Sequence, residues 1–175
     1  MGCGKTTLGV ALARVMGMRF IDLDEMIERE QGSTVREIFA ERGEEAFRTL
    51  ERDALQRVCK DGGAIVACGG GTPCAPGAME LMNGVGVTVW LDANPERIVE
   101  RLCLPEQKAK RPQVVALSDN EVPALVARGL AERAPFYSQA ALRFDSTYLE
   151  SVPQIDASAR SLAALLEAYS LNKAK

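Results

Sequence analysis

Gly2-Cys3-Gly4-Lys5-Thr6-Thr7 runs directly into a stretch whose apolar residues Leu8, Ala11, Leu12 and Val15 recur at helical spacing. A glycine-rich turn that opens a helix is a ready anion site. Glycine lets the backbone wrap closely, the first-turn amides lack partners, and the helix dipole favours negative charge. The six residues match the second half of G-x-x-x-x-G-K-[ST], in which the lysine reaches the β- and γ-phosphates of a nucleotide and the hydroxyl ligates Mg²⁺. This assigns Lys5 to phosphate, Thr6 to metal, and Gly2, Cys3, Gly4 and Thr7 to the nucleotide cradle. A glycine-rich cap with an incidental lysine is the bland alternative.

Downstream, short strands alternate with helices. A helix from Lys5 to about Gly17 precedes a strand at Arg19 to Asp22 with Phe20 and Ile21 buried, then a helix at Asp24 to Glu30 closed by Gly32. Thr34 and Glu37 form a capping box for a helix stopping at Gly43, and a longer helix runs from about Glu44 to Lys60. Ala64 to Ala67 is an unbroken apolar run between glycines, expected to be a strand buried on both faces, and Val85 to Leu91 reads as another. Asn94 and Pro95 open a helix carrying Ile98, Val99 and Leu102. Residues 104–118 lack steady periodicity and read as a mobile loop. A helix at about Glu121 to Tyr137, a strand at Leu142 to Asp145 and a helix near Ser158 to Tyr169 follow, with 145–157 unassigned. The alternation predicts an α/β domain over 1–175, a doubly wound parallel sheet with helices on both faces.

Composition narrows the chemistry. The chain has no histidine, which excludes imidazole-based mechanisms such as Ser-His-Asp hydrolysis. Five cysteines without a C-x-x-C pair are expected to be reduced thiols rather than a zinc site. A net charge of −3 with no dense Lys/Arg stripe argues against nucleic acid or an anionic membrane as partner. No apolar run approaches the ~20 residues that span a bilayer, and no basic-then-apolar leader opens the chain, so a cytoplasmic location is expected.

Other residues address a phosphoryl acceptor. Asp22 and Asp24 stand at the carboxyl end of a strand, where α/β sheets bind ligands. Asp22 suits Mg²⁺ and Asp24 suits substrate hydroxyls, unless one simply caps the following helix. Gly69-Gly70-Gly71 follows a strand and permits close approach of a ligand, or forms a flexible turn. Arg48, Arg111 and Arg133 are binding candidates, or ordinary surface cations.

Taken in order, GCGKTT, Asp22-x-Asp24, Phe47-Arg48-x-x-Glu51, the triplet at 69–71, Arg111-Pro112 and Arg133-x-Pro135-x-Tyr137 resemble the shikimate kinase family from Gly2 to about Asp145. The resemblance implies transfer of the γ-phosphoryl group of ATP, with Mg²⁺, to shikimate by a monomer of P-loop kinase fold. Its catalytic residues would be Lys5, Asp24 and Arg111. Asp24, Arg48, Gly69, Gly70, Gly71 and Arg133 would line the shikimate site, with both arginines on its carboxylate. Arg111 would arrive on a lid over about 104–118, and Arg101 would flank adenine. A gluconate kinase or a non-catalytic nucleotide-binding module is the alternative. The motif's first glycine and the strand feeding the loop would fall before Met1. The natural product is therefore expected to start upstream, and the chain as it stands to have a gap at mid-sheet, poor stability and weak nucleotide binding.

Overall fold

A computed structural model describes residues 2–109 and 111–173. In chain order the elements are α1 (Lys5–Met16), β1 (Arg19–Asp22), α2 (Leu23–Gln31), α3 (Val35–Asp61), β2 (Ala64–Ala67), a 3-10 turn (Thr72–Cys74), α4 (Ala78–Val85) and β3 (Val89–Asp92). They continue with α5 (Pro95–Cys103), the short α6 (Pro105–Ala109) and α7 (Pro112–Val115), α8 (Val122–Tyr137), β4 (Leu142–Asp145) and α9 (Val152–Lys173).

The strands form two parallel pairs. β1 lies beside β2 with Arg19 opposite Ala64 and Asp22 opposite Ala67, and β3 lies beside β4 with Val89 opposite Leu142 and Asp92 opposite Asp145. Parallel neighbours require crossover connections, and helices supply them. Among the described residues β2 and β3 are not hydrogen-bonded to each other, and a largely apolar cavity of about 490 Å³ is lined by both. The gap expected at mid-sheet is thus present. It also corrects two expectations. Ala64, Ile65 and Val66 are half-buried rather than buried on both faces, and so are Phe20 and Ile21. Strands without neighbours on both sides cannot bury as a continuous sheet does.

Most of the burial belongs to helices. Leu8, Ala11 and Leu12 of α1 pack with Leu162, Ala163 and Leu166 of α9. Leu23 and Ile27 of α2 meet Ile38, Phe47 and Leu55 of α3. Ile98 and Leu102 of α5 meet Val114, Val122 and Val126.

Local signals place most helix ends. Thr34 Oγ1 accepts from the Glu37 amide at 3.2 Å while Glu37 Oε2 accepts from the Thr34 amide at 2.7 Å, the expected capping box. Gly43 breaks the helical path inside α3 with φ 79°, ψ 174°. Val85, expected in a strand, instead ends α4, whose Met79 is buried, and β3 starts only at Val89. The 104–118 segment, expected to be irregular, holds α6 and α7. Val114 is fully buried there, and Lys108 Nζ lies 2.8 Å from Asp119 Oδ1. α9 starts at Val152, earlier than expected, because Ser151 and Gln154 make a second capping pair: the Ser151 amide donates to Gln154 Oε1 at 3.0 Å.

α1 can lie close on β1 because Gly9 has no side chain: a Cβ there would stand 2.5 Å from Phe20 Cε2. Alanine in a helix normally gains about 0.5–1 kcal/mol over glycine, whereas overpacking costs about 1–3 kcal/mol. Gly9→Ala is therefore expected to lower the urea midpoint. A raised midpoint would show that Phe20 yields freely.

Candidate active site

The phosphate loop has the backbone that its glycines allow. Gly2 and Gly4 adopt φ 71° and 88°, and Cβ atoms there would meet Ile98 Cγ2 at 3.1 Å and Leu149 Cδ1 at 2.4 Å. Gly4 is the N-cap of α1 and supplies no side chain to cap it, so first-turn amides remain for an anion. Cys3 and Lys5 stand at the wall of the central cavity, and Lys5 makes no ion pair among the described residues. Thr7 is exposed on the first turn.

Thr6 and Asp22, paired in sequence reasoning as metal ligands, meet in the fold. Thr6 Oγ1 donates to Asp22 Oδ2 at 2.9 Å, while Asp22 Oδ1 accepts from the Asp24 amide at 3.2 Å. Asp22 therefore also caps α2, the role left open for it in the sequence. No cluster of three or more His, Cys, Asp or Glu side chains able to hold a metal occurs among the described residues. A hydroxyl and a carboxylate side by side nevertheless fit Mg²⁺, which keeps several waters and takes its remaining oxygens from phosphates.

Asp24, in the first turn of α2, is half-buried, and its pKa rises to about 6. Burial is the largest cause, and the Asp22 and Glu51 carboxylates add to it against the opposing pull of Lys5. The charge of the phosphate-loop lysine thus reaches the carboxylate expected to face the acceptor.

Arg48 lies between two acids of α3. Nη1 donates to Glu51 Oε2 at 2.9 Å, Nη2 to Glu44 Oε1 at 2.9 Å, and Nε to the same Glu44 oxygen at 3.3 Å. Burial disfavours the charge, but the hydrogen bonds that Arg48 donates to Glu51 and Glu44 outweigh it and raise the guanidinium pKa. Three of the five guanidinium N–H groups are so used, leaving one on each terminal nitrogen for a planar anion.

The glycine triplet is special for a reason other than flexibility. Among the described residues no φ at 69–71 is positive. What these glycines provide is space. A Cβ on Gly69 would stand 2.6 Å from Glu51 Oε1 and 3.2 Å from Asp24 Oδ1, and one on Gly71 would stand 2.7 Å from Arg48 Nη1. The close approach expected of a ligand is made by the chain's own side chains. Gly70 is fixed through its carbonyl, which accepts from Tyr137 Oη at 2.7 Å.

Arg133, on α8, lies one helical turn before Tyr137, whose hydroxyl holds Gly70. Burial raises the Cys74 thiol, and the charges of Arg133 and Arg48 oppose this. Arg111 is half-buried at the start of α7, where Nη1 donates to Gln107 O at 2.7 Å and Gln107 Oε1 at 2.9 Å. Burial lowers its pKa, and Cys3 of the phosphate loop is the group that opposes this. Arg101 ties the phosphate loop to the segment after β4, donating to Gly2 O at 3.2 Å, Thr147 O at 2.6 Å and Glu150 Oε1 at 2.9 Å.

The sequence alone points to no role for Glu51, Tyr137 or Thr72. The first two sit inside the motifs around Arg48 and Arg133, one helical turn away, and that spacing was the available signal. Thr72 is fully buried, with Oγ1 donating to Glu51 Oε1 at 2.5 Å.

Comparison with known proteins bears on this arrangement. A family model described as shikimate kinase matches residues 1–165. A shikimate kinase of Phocaeicola vulgatus is 46% identical over 93% of this chain and 91% of its own length. The chain superposes on a crystal structure of shikimate kinase from Bacteroides thetaiotaomicron with a TM-score of 0.91 at 43% identity, covering 95% of this chain and 94% of that one. A shikimate kinase from Acinetobacter baumannii, solved in complex with shikimate, aligns with a TM-score of 0.83 at 27% identity over 96% of this chain and 89% of that one. With a matching family model over nearly all its length and these relatives, the chain belongs to the shikimate kinase family.

Proposed function

We propose that this chain transfers the γ-phosphoryl group of ATP to shikimate, giving shikimate 3-phosphate and ADP. The observation that carries the reading is convergence: Asp24 and Arg48 flank one glycine turn, and Tyr137, one helical turn from Arg133, holds the same turn through Gly70.

The phosphate loop and Lys5 bind the nucleotide phosphates. Thr6 and Asp22 would hold Mg²⁺, which would supply neutralisation of phosphate charge. The free N–H groups of Arg48, with Arg133, take the acceptor's carboxylate, a task suited to the planar guanidinium fork. This orients one ring hydroxyl toward Asp24. The hydroxyl oxygen bonds to the γ-phosphorus as the bond to the β,γ-bridging oxygen breaks; ADP leaves with that electron pair, and the hydroxyl proton passes to Asp24. Phosphoryl transfer depends mainly on positioning and charge neutralisation, so a carboxylate with pKa of about 6 suffices as acceptor of the proton. Arg111, carried on the 104–118 segment, adds charge at the phosphates when the segment closes and excludes water that would otherwise hydrolyse ATP. Arg101, on α5, flanks the adenine beside the segment after β4 that it holds. The same reading takes the enzyme as a cytoplasmic monomer with ATP and shikimate as its partners.

A coupled ADP-release assay with Mg-ATP tests this. Release should depend on shikimate and stay near the no-acceptor level with gluconate, and Lys5→Ala should lower turnover by about a hundredfold or more, as loss of a charge aimed at the transferring phosphate does. Release driven equally by gluconate, or by no acceptor, would contradict the assignment.

The Asp24 carboxyl in ligand-free protein gives a second test. Because its pKa is raised, the proton-accepting form prevails above about 6 and is lost as pH falls through that value. Carbon-13 NMR of the carboxyl should show its midpoint there, and a midpoint in the ordinary range near 4 would remove the basis for Asp24 as the proton acceptor.

A further inference from the structure

Each helix that carries an acceptor-side arginine also carries, one turn further on, an anchor to the same glycine turn. On α3, Glu51 follows Arg48 by three residues; on α8, Tyr137 follows Arg133 by four, so each pair shares a helix face. Glu51 is 2% exposed and divides its carboxylate between the two structures it joins, with Arg48 Nη1 on Oε2 and Thr72 Oγ1 on Oε1. Tyr137 Oη donates to Gly70 O at 2.7 Å, and its ring lies 6.0 Å from the Trp90 ring, centroid to centroid. Burial raises the pKa of the Tyr137 hydroxyl against the pull of Arg133, so it remains a donor at neutral pH. The ring packing needs only a phenyl group; the hydroxyl makes the bond to Gly70 and lies beside the Arg133 charge.

We propose that Tyr137 is a positioning residue for the acceptor: with Glu51 on the opposite helix, it straps the glycine turn to both arginine helices and so fixes the spread of Arg48 and Arg133. The inference rests on the proposed shikimate site. A strap on a turn that meets the acceptor but not the nucleotide has a distinctive signature. It shifts the acceptor's KM and leaves that of ATP in place. A hydroxyl that serves only folding lowers thermal stability and takes the same fraction of activity from both substrates.

Tyr137→Phe keeps the ring and removes the bond. The expected result is a KM for shikimate raised about tenfold, the scale of one lost hydrogen bond, with the KM for ATP within twofold and the thermal midpoint nearly unchanged. In an Arg133→Ala background the same change should add little, since residues acting through one another are not additive. Glu51→Gln, which keeps shape and the Thr72 contact but removes the negative charge facing Arg48, should also raise the shikimate KM selectively. Active wild type with an unchanged shikimate KM in Tyr137→Phe overturns the positioning role, as does a full effect persisting without Arg133. Wild type that turns over no shikimate overturns the functional reading instead, and the two failures are thereby distinguished.

Discussion

The absence of side chains at Gly69 and Gly71 is the constraint on which the proposed acceptor side of this site depends. With Cβ atoms there, contacts of 2.6 Å to Glu51 and 2.7 Å to Arg48 would force both side chains away. Glu51 could then no longer hold Thr72 and Arg48 together, and a buried carboxylate without both partners is costly by several kcal/mol. The same crowding encloses Asp24, whose raised pKa comes first from burial and then from neighbouring carboxylates. One tight turn thus sets the place of an arginine and the basicity of an aspartate.

The nucleotide side joins this unit at the end of β1. One oxygen of Asp22 receives the Thr6 hydroxyl of α1 and the other caps α2, so a single carboxylate couples the phosphate helix to the helix that carries Asp24. Arg101 couples the phosphate loop in the other direction, to the segment after β4. These links matter because the strands do not form one continuous sheet. With a cavity between β2 and β3, helix packing and side-chain bonds at the strand ends carry the positioning that a closed sheet would share.

What could be read from the sequence followed the range of the interaction. The phosphate loop and the Thr34–Glu37 capping box are local, and both appear as expected. Asp22 and Asp24 were placed by their position after a short strand, and Thr6 does meet Asp22. The glycine triplet was recognised as unusual, but its reason, room for Glu51 and Arg48, exists only once α3 lies over the turn. Tyr137 and Gly70 are 67 positions apart, so no local pattern announces their bond. The strand read at Val85–Leu91 is present but starts only at Val89, because an apolar run broken by Gly86 serves a helix end as well as a strand. α6 and α7 are too short to show periodicity. The half-burial of Ile65 and Val66 could not be read from an apolar run, which reports the residues and not their neighbours.

Calorimetry of shikimate binding to Gly71→Ala tests the central claim most directly. The backbone at Gly71, φ −93°, ψ −19°, suits alanine, so the substitution acts through the space beside Arg48 alone. Shikimate affinity should fall about tenfold, the scale of a displaced charged hydrogen bond, while ATP affinity holds. Unchanged shikimate affinity, with the protein folded, would contradict the claim that this turn sets the position of Arg48.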